Sequence, residues 1–170
     1  TMTKLEMAQR CAEAMWKDDK ASHALGITID VQEAGCATAR MTIRGDMVNG
    51  LDVCHGGLVF ALGDTAFAFA CNAYNQQSFA ASCNADFLRP ALLGDVLTAT
   101  ASEDYRGRRS GYYTVKIHNQ RAELVMLFRG RCGSNGKLGQ QGALTLSWVF
   151  TPSSAPPVAA ATPPASATVI

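Results

Sequence analysis

Asp64 is the one charged side chain in the run from Gly56 to Cys71, a stretch otherwise built of apolar and small residues. An ionised carboxylate is costly to bury without a partner. Its position therefore points either to a dedicated hydrogen-bonding partner or to a pocket in which the acid does chemistry. Just before the run stand His55, Gly56 and Gly57, flexible backbone where a helix would begin. A helix N-terminus offers free N–H groups and a partial positive charge. Donors aimed at an electrophile, with an acid two to three turns further along, form a workable catalytic arrangement. Asn49, six positions before His55, suits the holding of a carbonyl or a water, or equally a turn before Gly50. Thr65 follows the acid and suits either a water contact or core packing. Cys54 and His55 have the composition of a nucleophile–base pair, but adjacent side chains rarely face each other. His55 is expected to orient the loop by hydrogen bonding.

The elements that must position these residues follow from periodicity. Leu5, Ala8, Cys11, Ala12, Met15 and Trp16 have helical spacing over 4–18. Ile27, Ile29 and Val31 alternate with polar residues, as do Ala37, Ala39, Met41 and Ile43, with Glu33-Ala34-Gly35 as the hairpin turn between them. A loop over 45–55 leads into a helix over 56–74, apolar on all sides and so expected in a core. Four strands are expected at 79–88, 95–105, 111–119 and 122–131, joined most economically as a meander. Strands gathered around one buried helix predict an α+β protein, an antiparallel sheet wrapped on that helix.

Composition bounds the function. A chain of 170 residues supports one domain with a real core, and a net charge of +1 gives no reason to expect a nucleic-acid partner. The central apolar run of 16 residues contains Asp64 and falls short of the roughly 20 needed to span a bilayer. Six scattered cysteines, with no paired spacing, predict reduced thiols packed as small apolar groups. The three histidines lack ligand-like spacing, so no metal site is expected. Thr1 to Glu6 show no signal-peptide pattern, and a cytoplasmic location is expected. Residues 133–170 hold one charged side chain, Lys137, and five of the six prolines. The expected organisation is an N-terminal helix over 1–23, a domain over 24–132 and a largely disordered tail over 133–170, with 150–170 the clearest case. So abrupt a change of composition also fits an altered reading frame or an engineered end.

The run from Asn49 to Ala68, with Asn49 six positions before His55 and Asp64 nine after it, resembles the signature of the hotdog-fold thioesterases. The likeness is greatest to their phenylacetate-degradation (PaaI-type) branch. It extends over about 24–131, including Leu92-Leu93-Gly94-Asp95 and Arg106-Gly107-Arg108-Arg109. The resemblance implies a hotdog fold and a homodimer or homotetramer with sites at the subunit interface. It also implies hydrolysis of acyl-CoA thioesters without metal or other cofactor. Asp64 would be the general base that deprotonates a water, or the nucleophile that forms an anhydride with the acyl group. Gly56 and Gly57 would stabilise the oxyanion through their N–H groups, and Asn49 would position the water or the carbonyl. Coenzyme A is a phosphate-bearing leaving group, so Arg108 and Arg109, with Arg89, are candidates to hold it. Phe60, Phe67, Phe69, Tyr74, Phe87, Tyr112 and Tyr113 supply aromatic surface, most of it core. The branch implies a phenylacetyl or ring-hydroxylated phenylacetyl group. Three other readings stay open: a hotdog hydratase or dehydratase, which the spacing of Asp64 from His55 disfavours, an acyl-CoA binding module without turnover, and a structural subunit without ligand.

Overall fold

In the computed structural model, whose described residues are 1–139, helix α1 (Lys4–Asp18) begins at Thr3. The Glu6 N–H donates to Thr3 Oγ1 (3.1 Å) and the Thr3 N–H donates to Glu6 Oε2 (2.7 Å), a reciprocal cap. Asp19 ends α1 and caps a short helix α2 (Lys20–Ala24) that periodicity did not announce. Its carboxylate accepts from the Ser22 N–H (3.0 Å) and the Ser22 hydroxyl (2.7 Å).

Strands β1 (Thr28–Glu33) and β2 (Cys36–Thr42) form the expected hairpin. Gly35 turns it with φ +85°, and a Cβ there would lie 2.9 Å from both Glu103 Oε2 and the Tyr74 hydroxyl. Helix α3 (Gly56–Cys71) stops three residues short of its expected end at 74. The cause is Asn72, whose Nδ2 donates to the Ala68 and Ser78 carbonyls (3.0 and 3.1 Å) while its Oδ1 accepts from the Ser78 N–H (2.9 Å). That clamp turns the chain directly into β3 (Gln76–Phe87), which starts before its expected position at 79.

Strands β4 (Val96–Arg106), β5 (Ser110–His118) and β6 (Leu124–Leu138) follow. The six strands make one antiparallel sheet in the order β1-β2-β4-β5-β6-β3. A consecutive meander is correct for β4-β5-β6 but not for β3. Helix α3 carries the chain across the sheet, so β3 enters at the far edge beside β6, and β4 pairs with β2 instead. Strand β6 passes the expected end at 131 and runs to Leu138. Its glycine, serine and asparagine residues have weak strand preference, but Gln76 opposes Leu138, Ser78 opposes Ser134 and Ser110 opposes Gly133. Long-range pairing therefore overrides local preference here. The expectation of disorder over 150–170 lies outside the described residues.

The core lies between α3 and one face of the sheet. Ala37, Ala39, Ala99 and Ala101 are fully buried where α3 crosses β2 and β4, and these small side chains let the helix come close. Larger groups fill the space over β5 and β6: Tyr113, Val115, Ile117, Met126 and Phe128 are at most 1 % exposed. Burying a side chain of such size contributes about 1.5–3 kcal/mol. From α3 itself, Leu62, Ala66 and Phe67 point into this layer. Gly57, Ala61, Asp64 and Ala68, spaced at helical repeats along another face, are exposed or only half-buried. The helix that is apolar all round is thus covered on one side only within a single chain.

Candidate active site

Helix α3 fixes the two ends of the site. His55 is its N-cap, and the Gly57 N–H donates to His55 Nδ1 (3.3 Å). The His55 N–H donates in turn to the Met47 carbonyl (2.9 Å), tying the loop over 45–55 to the helix start. With Nδ1 accepting, the neutral ring carries its proton on Nε2. Cys54 is buried, and its thiol donates to the His55 carbonyl (3.5 Å), not to the ring. Burial pushes that thiol up. The two side chains form no dyad.

The Gly57 N–H is occupied by His55, whereas the Gly56 N–H has no hydrogen-bond partner among the described residues. A Cβ on Gly56 would lie 2.8 Å from Phe87 Cε1, so any side chain there must displace that exposed ring. Gly56, Phe87 and Arg89 border one cavity of about 300 Å3, with Cys54, Val59 and Ala91 completing its apolar wall. Phe87 is one of the aromatic residues counted in the sequence, where nothing set it apart from those that pack in the core. Asn49 is exposed, and its Oδ1 accepts from the Leu51 and Val53 N–H groups (2.9 and 3.3 Å). Within one chain it builds the turn that presents His55. Thr65 donates its hydroxyl to the Ala61 carbonyl (2.7 Å), one turn back along the helix.

Asp64 is half-buried and has no hydrogen bond or ion pair among the described residues. Burial alone raises its carboxyl above the ordinary value. Its charge reaches Cys83, which shares with Ala85 and Phe87 the face of β3 turned toward α3. Asp95 makes the contrast: it is only 3 % exposed, yet it accepts from the Leu92 N–H (2.9 Å), Gln120 Nε2 (2.8 Å) and Arg121 Nη1 (3.3 Å). Burial would push Asp95 up, but those donors and the Arg121 charge hold it below the usual range.

Distance separates what the sequence grouped. Asp64 lies eight positions after Gly56 along α3, about 12 Å at the helical rise. Both groups cannot touch one carbonyl from the same chain. Arg108 and Arg109 border a second cavity, of about 550 Å3, with Gln76, Ser134 and Asn135. Gln76 begins β3 and Phe87 ends it, so this basic turn lies roughly 35 Å from Arg89 at strand rise. Ser134 and Asn135 fell in the segment expected to be tail, which is why they were missed as cavity-lining residues.

An antiparallel sheet wrapped on one long helix is the hotdog arrangement, and the chain belongs to the thioesterase superfamily, whose pattern matches residues 51–126. It is 46 % identical, over 71 % of its length and 86 % of the relative's, to an Escherichia coli protein named acyl-coenzyme A thioesterase PaaI. The solved structure of the E. coli PaaI protein from the phenylacetic acid degradation operon superposes with a TM-score of 0.78 at 42 % identity, covering 80 % of this chain and 99 % of that one. A mutant structure of the phenylacetic acid degradation protein PaaI from Thermus thermophilus gives a TM-score of 0.65 at 33 % identity, covering 68 % and 98 %.

Proposed function

We propose that this chain is an acyl-CoA thioesterase that hydrolyses phenylacetyl-CoA or its ring-hydroxylated forms, with the Asp64 carboxylate as general base or nucleophile. The observation that carries the reading is Asp64 itself, half-buried, unpartnered and raised by burial on the uncovered face of α3. Such a carboxylate gains basicity toward neutral pH. It either takes a proton from water as that water attacks the thioester carbon, or attacks the carbon itself to give an anhydride that water then opens. In both routes negative charge builds on the carbonyl oxygen, and the unoccupied Gly56 N–H at the start of α3 is placed to receive it. The carbon–sulfur bond then breaks and coenzyme A leaves as thiol. The acyl preference rests on the likeness to the E. coli PaaI protein of the phenylacetic acid degradation operon.

The separation of about 12 Å between Gly56 and Asp64 is bridged by a second copy of the chain. Strand β3 is 12 residues long, exposed along most of its length, and paired only with β6 among the described residues. An edge of that length invites another strand. A two-fold contact along β3 sets two antiparallel α3 helices side by side through their uncovered faces. Gly56 then meets Asp64 of the partner subunit, and the basic turn of Arg108 and Arg109 swings from the far end of β3 toward the Gly56 cavity, where Arg89 already lies. There these arginines hold the phosphates of coenzyme A. All six cysteines are free, which suits a reducing cytoplasm. No helix among the described residues is long and apolar enough to cross a membrane.

The test is release of coenzyme A thiol from phenylacetyl-CoA and hydroxyphenylacetyl-CoA, with Asp64→Asn alongside. Release that is lost in the variant, while the variant still binds substrate, supports the reading. Binding without release by the unaltered chain identifies a binding module instead.

A further inference from the structure

One buried carboxylate outside the Gly56 cavity holds the loop that walls it. Between Phe87, where β3 ends, and Val96, where β4 begins, the chain passes through Arg89, Pro90 and Ala91, which border that cavity. The Ala91 carbonyl accepts from the Cys54 N–H (2.8 Å), Leu92 forms a β-bridge with Val53, and the Leu93 N–H donates to the Asp52 carbonyl (3.1 Å). Cys54 immediately precedes His55, the N-cap of α3, so these bonds govern where the Gly56 N–H stands. The other end of the same Ala91–Leu92 peptide is held by Asp95, whose Oδ2 accepts from the Leu92 N–H (2.9 Å). Asp95 Oδ1 accepts from Gln120 Nε2 (2.8 Å) and Arg121 Nη1 (3.3 Å), on the turn between β5 and β6. That turn is pinned in its own right. Asn119 Oδ1 accepts from the Arg121 and Glu123 N–H groups (3.0 and 3.1 Å), and Glu123 Oε2 accepts from Asn119 Nδ2 (2.7 Å) and Arg121 Nε (2.9 Å).

We propose that Asp95 is a positioning residue for the reaction, fixing the plane of the Ala91–Leu92 peptide and, through the Cys54 N–H, the place of the Gly56 N–H. The inference rests on the oxyanion role proposed above for Gly56. A peptide group is planar and rigid, so a carboxylate that holds its N–H also sets the direction of its carbonyl toward Cys54. Two segments must be gripped at once, and a carboxylate suits this because each of its oxygens accepts. At 3 % exposure, Asp95 has those donors in place of water. An amide at this position has one accepting oxygen, so it would keep one link and lose the other. The Gly56 donor serves charge that builds in the transition state. Its displacement should therefore lower kcat and leave substrate binding in place.

The experiment compares Asp95→Ala, Asp95→Asn and Gln120→Ala with the unaltered full chain, below the Tm of each. Two quantities are read: kcat and KM for phenylacetyl-CoA, and hydrogen exchange of the Cys54 amide by NMR. Exchange is taken relative to the amides of β5, which report global opening. In Asp95→Ala the expected result is Cys54 exchange faster by about tenfold or more and kcat lower by about tenfold or more, with KM within about twofold. Asp95→Asn should fall between this variant and the unaltered chain. Gln120 is exposed, so Gln120→Ala keeps the test available if Asp95→Ala fails to fold. Loss of one of three donors should change both quantities in the same directions, by about threefold. A loss of kcat without faster Cys54 exchange, faster exchange with kcat unchanged, or a change confined to KM would overturn the proposal. An unaltered chain that releases no coenzyme A overturns instead the function proposed above. Cys54 exchange that is the same in all four proteins overturns the role of Asp95 whether or not there is turnover.

Discussion

As the proposed base or nucleophile, Asp64 pulls activity and stability in opposite directions. Its folded-state carboxyl is raised by burial, so between the ordinary value and the raised one the folded chain holds more protons than the unfolded chain. Stability then falls as pH climbs through that window, and at neutral pH the ionised group is a burden on the fold. Asp64→Asn removes the burden together with the base. The expected outcome is a Tm no lower than that of the unaltered chain near pH 7, with hydrolysis reduced by about 100-fold or more. In the unaltered enzyme, hydrolysis should weaken as pH drops through the raised value, because only the ionised form serves as base or nucleophile. A Tm series by calorimetry beside a pH–rate profile checks both, and a variant with full activity removes Asp64 from the mechanism. Asp95 has the opposite sign. Its lowered carboxyl supports the fold above the unfolded value, and that support disappears only as acid carries the pH down through the folded one.

Helix α3 meets the sheet at places where a side chain cannot be added. Gly130 on β6 faces Phe67, and a Cβ there would lie 2.8 to 2.9 Å from three atoms of the ring. Phe67 is 1 % exposed and packed against Tyr113 and Phe128, so the ring has little room to yield. Gly130→Ala is therefore expected to cost about 1–3 kcal/mol, read as a lower urea midpoint. Gly136→Ala is a poor control, since φ +76° strains any side chain, whereas Gly45→Ala meets nothing within 4 Å and should leave the midpoint in place. A Gly130→Ala midpoint equal to that of the unaltered chain would mean that α3 sits further from β6 than the structure shows. The start of α3 was legible in the sequence because glycines and a capping histidine are local signals. Its end was not, because Asn72 acts through Ser78 across a turn.

The proposed composite site needs two chains, and mixing tests it. Asp64→Asn leaves the Gly56 donor intact, while Gly56→Pro removes that N–H at a helix position where proline is tolerated, with the exposed Phe87 ring giving way. Each variant alone should be inactive. Dissociated and reassembled together, they should recover about a quarter of the sites, because half of randomly paired dimers carry one intact Gly56–Asp64 combination. A mixture that stays inactive, with mixed dimers demonstrated by mass spectrometry, would place both groups in sites formed by single chains. Much was readable before any tertiary contact was known. Alternation and helical spacing announced most of the elements, and the lone acid in an apolar helix, nine residues after His55, marked the candidate for the chemistry, because such signals lie within a few turns of chain. Tertiary structure alone decided that β3 lies at the sheet edge, that Arg89 and Arg108 stand at opposite ends of it, and that β6 reaches Leu138. Strand order and strand ends depend on which distant backbone groups find each other, and that is not written in the local pattern of side chains.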